Sequence, residues 1–202
     1  MSWSVSEVTQ PSVEPVSLAE AKSHLRVDHD DEDTLIQAQI IAAREWVEDY
    51  IGYVTVQRQL RLTLDYLPAG DTITLPRSKL ISIDSVEYVD RDGVTQTWDA
   101  SNYSADTYAE EGRLIRDPDS DWPNVRAQRQ AVIITYTAGW PDDGASPPDY
   151  AANVPESIKA AIKLTLGNLY ENRESVIVGT IATELPLAVK SLLAAHRRIY
   201  IR

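Results

Sequence analysis

In the first quarter of the chain, Ile36, Ile40, Ala43, Val47 and Ile51 recur at gaps of four, three, four and four. That spacing lays them along one stripe of an α-helix, and the stripe must find an apolar partner. Just beyond Gly52 the period becomes two. Val54, Val56, Leu60, Leu62, Leu64 and Tyr66 alternate with Thr55, Gln57, Gln59, Arg61, Thr63 and Asp65, as in a half-buried antiparallel strand, and Arg58 is the one break. No single helix or strand carries both periods, so the chain must be a mixed fold with a change of architecture near residue 53.

Further punctuation locates the other elements. Ser17 followed by Glu20 fits a capping box, with Leu18, Ala21 and Leu25 on one face of a short helix over 18–25. Short strands are expected over 72–75, 81–89, 95–98, 113–116 and 131–138, with Asp92-Gly93 as a hairpin turn, since glycine accepts a positive φ at little cost. Pro141, Gly144, Pro147, Pro148 and Pro155 mark a linker or long loop. Helix resumes at Glu156, with Ile158, Ile162, Thr165 or Leu166, and Leu169 on a stripe ending near Asn172. A last helix begins near Thr183, with Pro186 in its first turn and Val189, Leu192, Leu193 and His196 sharing a face.

Helices thus flank a β-rich middle, and the simplest way to bury short amphipathic helices is against one another. The expected fold class is α+β, a discontinuous helical bundle made of N- and C-terminal helices, with a β-rich antiparallel insertion. The expected divisions are an extended N-terminal arm over 1–16, a helical core over 17–53 and 154–198, the β insertion over 54–140, a linker over 141–153 and a C-terminal tail over 199–202.

Composition removes several functional classes. The chain has no cysteine, which excludes disulfides, thiol catalysis and cysteine-ligated zinc. A net charge of −12 has the wrong sign for tight binding to free DNA. No stretch approaches the roughly 20 apolar residues of a membrane span, and the opening MSWSVSEVTQ has neither the basic start nor the apolar run of a signal peptide, so a cytoplasmic site of synthesis and assembly without membrane association is expected. From Leu185 onward the only charged residues are Lys190, Arg197, Arg198 and Arg202, a basic tail on an acidic body.

Candidate chemistry is sparse. His24, Asp28, His29, Asp30, Asp31, Glu32 and Asp33 could suggest a metal site or a metal-dependent hydrolase, but a calcium loop started at Asp28 would have Asp33 where its glycine belongs and Gln39 where its bidentate glutamate belongs. Such acids are favoured by the dipole of the helix they precede. Asp117, Asp119 and Asp121 also alternate, yet Trp122 and Gln128 occupy the corresponding glycine and glutamate positions, which leaves a solvated turn. Phosphate-cradling glycine patterns, HExxH and GxSxG are absent, Asn102-Tyr103-Ser104 matches a glycosylation acceptor by chance, and His196 reads as a helix-face residue. Trp3, Trp46, Trp98, Trp122 and Trp140 read as core or interface anchors. No catalytic residue, metal or cofactor is assigned.

The segment PVSLAEAKSHLRVDHDDEDTLIQAQIIAAREWVEDYIG, residues 15–52, resembles the N-terminal signature of the phage head-tail connector family, also called adaptor or head-completion proteins, found in siphophages and gene transfer agents. The segments ITLPRSKLISIDSVEYVDRDG, ITYTAGW and VPESIKAAIKLTLGNLYENRE fit the longer members in the same order, and the final thirty residues match only loosely. The resemblance implies a non-enzymatic structural protein of the virion head–tail interface. It would form a homo-oligomeric ring, dodecameric in the particle, that docks on the portal protein and receives a stopper, head-closure or tail protein; DNA would pass through the channel without sequence-specific binding. A stopper or tail-terminator role is the alternative. Arg197, Arg198, Ile199, Tyr200, Ile201 and Arg202 form the expected portal-docking tail, because Ile199 and Ile201 would project from one side of an extended chain and the arginines can fork onto carboxylates.

Overall fold

The computed structural model describes residues 3–172 and 187–197. The chain divides into two compact units, one of the N-terminal residues to Ser12 with Gln57–Pro141, the other of Val13–Val56 with the residues from Asp142 onward.

The second unit is helical. α1 (Leu18–Leu25) begins at the Ser17 cap, whose hydroxyl accepts the Glu20 N–H at 3.2 Å while the Glu20 carboxylate takes the Ser17 N–H at 2.8 Å, the reciprocal box read from the sequence. α2 (Asp33–Ile51) ends at Gly52, whose φ of 81° and N–H to the Glu48 carbonyl are a left-handed cap that glycine adopts without strain. α3 (Glu156–Glu171) and α4 (Leu187–Leu193) complete the unit, and α1 and α2 pack on α3 as α3 packs on α4. The core holds Ile36, Ile40, Val47 and Ile51 of α2 with Ile158, Ile162 and Leu166 of α3, all at most 2% exposed. Each such side chain contributes about 1.5–3 kcal/mol of burial. The expected start of the last helix at Thr183 lies outside the described residues.

The first unit is all antiparallel. β1 (Trp3–Glu7), β2 (Arg58–Leu64), β4 (Leu80–Val89), β5 (Thr95–Thr97) and β8 (Val132–Ala138) form a sheet in the order β1-β2-β8-β4-β5. β3 (Thr72–Thr74), β6 (Tyr103–Asp106) and β7 (Arg113–Arg116) form a second in the order β3-β7-β6. β8 is central, and Val132, Ile134, Tyr136 and Ala138 are buried at alternate positions opposite Leu64, Leu62, Leu60 and Arg58 of β2. Two register shifts in β4 opposite β8 are bulges, each inserting a residue the partner strand does not have. At the β4–β5 hairpin, Gly93 has φ 86° and Asp90 accepts the Val94 and Asp92 N–H groups with its carboxylate, which fixes the expected Asp92-Gly93 turn.

Three expectations change. The N-terminal residues, read as an extended arm, contribute the edge strand β1, paired from Trp3 opposite Leu64 to Glu7 opposite Leu60. The strand expected from Val54 begins at Arg58, because Val54, Thr55 and Val56 belong to the helical unit and the Thr55 N–H goes to the Glu48 carboxylate at 2.8 Å instead of to a ladder. Arg58 does not break the alternation: it keeps the inward phase of Leu60, Leu62 and Leu64, and its guanidinium meets Glu7 at 2.9 Å. β6 was not anticipated.

Tyr136 is fully buried and donates to the Pro76 carbonyl at 2.6 Å. Burial raises its hydroxyl well above the ordinary value of 10.0. The folded protein therefore holds that proton when the unfolded chain releases it, so the contribution is complete below about pH 10 and is lost as pH rises beyond it. Alkaline titration of Tyr136→Phe, followed by unfolding, should show a shallower loss of stability above about pH 10 than the parent, starting from a baseline lower by about 1 kcal/mol for the missing hydrogen bond. Parallel curves would refute this.

Candidate assembly surface

The acidic run between α1 and α2 is occupied by local structure. Lys22 reaches Asp30 at 2.5 Å and Asp33 at 2.8 Å, tying the end of α1 to the start of α2. The Lys22 hydrogen bond holds the Asp30 carboxyl below its ordinary value. His29 stands 3.9 Å from Asp31, beyond hydrogen-bonding range, and Glu32 accepts the Tyr170 hydroxyl of α3. Among the described residues no three His, Cys, Asp or Glu side chains converge as a metal would require. Asp117 caps its own turn by accepting the Asp119 N–H at 2.9 Å, and His196 Nε2 lies 2.8 Å from the Ser157 hydroxyl on α3.

A buried ionic cluster lies inside the helical unit. Arg44, 1% exposed, donates from Nε to Glu14 at 2.8 Å and from Nη1 to Glu48 at 3.1 Å, and the other Glu48 oxygen accepts the Thr55 N–H and hydroxyl. Glu14 and Thr55 each lie within two residues of a place where the chain passes between the two units. The cluster thus fixes where both segments leave the helical unit. Its sequence signal is Arg44 and Glu48, four apart, set between the apolar positions of the α2 stripe.

On the opposite side, α2 carries a second stripe that the sequence reading did not single out. Leu35, Ala38, Ala42, Glu45 and Asp49 are exposed at gaps of three, four, three and four, with Ile41 exposed beside Ala42, so the stripe is apolar in the first half and acidic in the second. Ile41 also closes an open groove of about 420 Å³ between α2 and the N-terminal segment, lined by Val13, Val16 and Leu18 with Gln37 and Ile40. The available signal was the same three-and-four spacing, overshadowed by the stronger Ile36–Ile51 set.

Trp46 and Tyr50, one turn apart on α2, stack with centroids 5.4 Å apart, and the Arg197 guanidinium lies 5.2 Å above the Tyr50 ring. Arg197 is thereby held by cation–π contact within its own chain. The rest of the expected docking tail, Arg198, Ile199, Tyr200, Ile201 and Arg202, lies outside the described residues. Of the tryptophans, Trp98 and Trp140 are buried, Trp98 forms a cluster with Tyr103 and Trp122, and Trp3 on β1 is 56% exposed.

The fold has counterparts among solved structures of particle necks. The chain is similar, with a TM-score of 0.80, 22% identity and coverage of 98% of this chain and 97% of the other, to a protein in the neck of an empty GTA particle computed with C6 symmetry. A chain in the virion of the native gene transfer agent particle gives the same values. One in the native neck computed with C12 symmetry gives 0.78 at 21% identity. Within this shared fold, residues 15–97 match the family of phage gp6-like head-tail connector proteins, so the resemblance read from residues 15–52 is borne out. No curated protein matches the chain.

Proposed function

We propose that the protein is a structural head-tail connector, an adaptor of a tailed phage or phage-like particle, that forms a homo-oligomeric ring in the neck, docks on the portal above and receives a stopper or tail protein below. The observation that carries this reading is the likeness over nearly the whole chain, both units included, to proteins of a gene transfer agent neck. The connector match over residues 15–97 supports it from sequence. The role assigned is structural, without catalysis, at the head–tail interface of the virion. An acidic chain of net charge −12 suits a channel through which DNA slides without adhering.

Portal contact is assigned to the basic tail Arg197, Arg198, Ile199, Tyr200, Ile201 and Arg202, which can add a strand to a sheet edge and pair its arginines with carboxylates. Copurification with the portal protein of the same particle tests the function. Retention of the full chain by immobilised portal, with loss of most binding on removal of residues 199–202, is the expected result. A chain that binds tail proteins and ignores the portal would be a stopper or tail terminator instead.

A further inference from the structure

We propose that Asp92, at the tip of the β4–β5 hairpin, is a site of spontaneous isoaspartate formation, and that the fold protects Asp143, which stands in the same kind of dipeptide. Aspartate followed by glycine is the pairing in which this rearrangement is least hindered, because no side chain on the second residue blocks the approach of its amide nitrogen to the carboxyl. The chain holds two such pairs, Asp92-Gly93 and Asp143-Gly144. Both aspartates are exposed, so access to water does not separate them.

The rearrangement needs no reactant besides water. The Gly93 nitrogen bonds to Cγ of Asp92, its proton and the carboxyl hydroxyl leave as water, and a five-membered succinimide closes. Water then opens the ring. Attack at Cγ breaks the new bond and restores aspartate. Attack at the main-chain carbonyl breaks the original bond to Gly93 and leaves the chain running through Cγ. That product has the mass of the parent and one more main-chain carbon in the turn.

Closure requires a carboxyl that is free to turn onto the next nitrogen. Asp143 is not free: its Oδ1 accepts the Asp149 N–H at 2.9 Å and the Ala145 N–H at 3.0 Å. The same two donors hold its carboxyl below the ordinary value, in the ionised form that has no hydroxyl to lose. The Asp92 carboxylate takes no hydrogen bond or ion pair from any described residue, since Asp90 already accepts the Asp92 and Val94 N–H groups of the hairpin. The glycine amides do not reverse this order, because Gly93 donates to the Asp90 carbonyl and Gly144 to the Asp142 carboxylate, both at 3.0 Å. Their surroundings do differ. The Arg126 guanidinium fills the place that a Cβ on Gly93 would take, whereas nothing lies within 4 Å of that place on Gly144. A cation beside Gly93 favours loss of its amide proton and the negative charge that develops as the ring closes.

The test incubates the full chain at neutral pH and about body temperature, folded and in urea, until the unfolded sample carries isoaspartate at both sites. Peptides spanning each site are then read by electron-transfer fragmentation, which separates isoaspartate from aspartate at equal mass. In the folded protein Asp92 should exceed Asp143 by at least roughly tenfold, and unfolding should bring the two sites to similar levels. Asp92→Glu should abolish the signal at its site, because a larger ring closes far more slowly. Arg126→Gln should slow Asp92 several-fold and leave Asp143 unchanged. Equal levels at the two sites of the folded protein, or isoaspartate at Asp92 only in urea, would overturn the proposal. An Asp92 rate untouched by Arg126→Gln would overturn the part assigned to that guanidinium.

Discussion

Replacing Glu48 with alanine is expected to destabilise the helical unit by about 3–5 kcal/mol, because it breaks a buried ion pair by removing one partner. Arg44 would keep Glu14 but lose Glu48, and the Thr55 N–H and hydroxyl would lose the acceptor they share. For a chain of this size each kcal/mol moves the melting midpoint by roughly 2–4 °C, so the fall should be on the order of 10 °C. Amide exchange of α2 in a urea titration reads the unit that carries the cluster. The companion variant, Arg44→Met with Glu48→Leu, should recover only the part of the loss that comes from the unpaired Arg44 charge, because the Thr55 N–H and hydroxyl still lack their Glu48 acceptor. A Glu48→Ala change smaller than about 1 kcal/mol would show that the cluster is incidental.

The second large effect is expected at α3, where neighbouring leucines have opposite environments. Leu166 is fully buried and Leu164 is 37% exposed. Leu166→Ala removes core contacts and leaves a cavity, for about 2–5 kcal/mol. Leu164→Ala should stay within about 0.5 kcal/mol in the unassembled protein. Equal losses in equilibrium unfolding would contradict the burial described for α3.

Much of this architecture was legible because local chemistry and global packing agree. The Ser17–Glu20 box, the Ile36–Ile51 stripe closed by Gly52 and the Asp92-Gly93 turn each carry their own signal within a few residues. Other features depend on distant partners. β1 has two apolar residues alternating with serines, too little pattern by itself, and its partner Arg58 lies 51 positions from Glu7. Val54 and Val56 alternate as in a strand yet are buried in the helical unit, since period two reports which side is apolar and not what covers it. The α2 surface was missed for a related reason: a helix with two apolar stripes shows the stronger one, and the weaker gains meaning only once the stronger is seen to be buried.

The passages of the chain between its two units, after Ser12, Val56 and Pro141, have a consequence for biosynthesis. α1 and α2 leave the ribosome early, but α3 and α4 are translated only after Gln57–Pro141. At roughly 5–20 residues per second, the α2 stripe waits several seconds for the helices that cover it. The β unit, complete once β8 emerges, can close first with β1 recruited backward onto β2. The nascent chain therefore presents Ile36, Ile40 and Val47 to chaperones in that interval, and the helical unit, whose first helices emerge before most of the β unit, is the last to be completed.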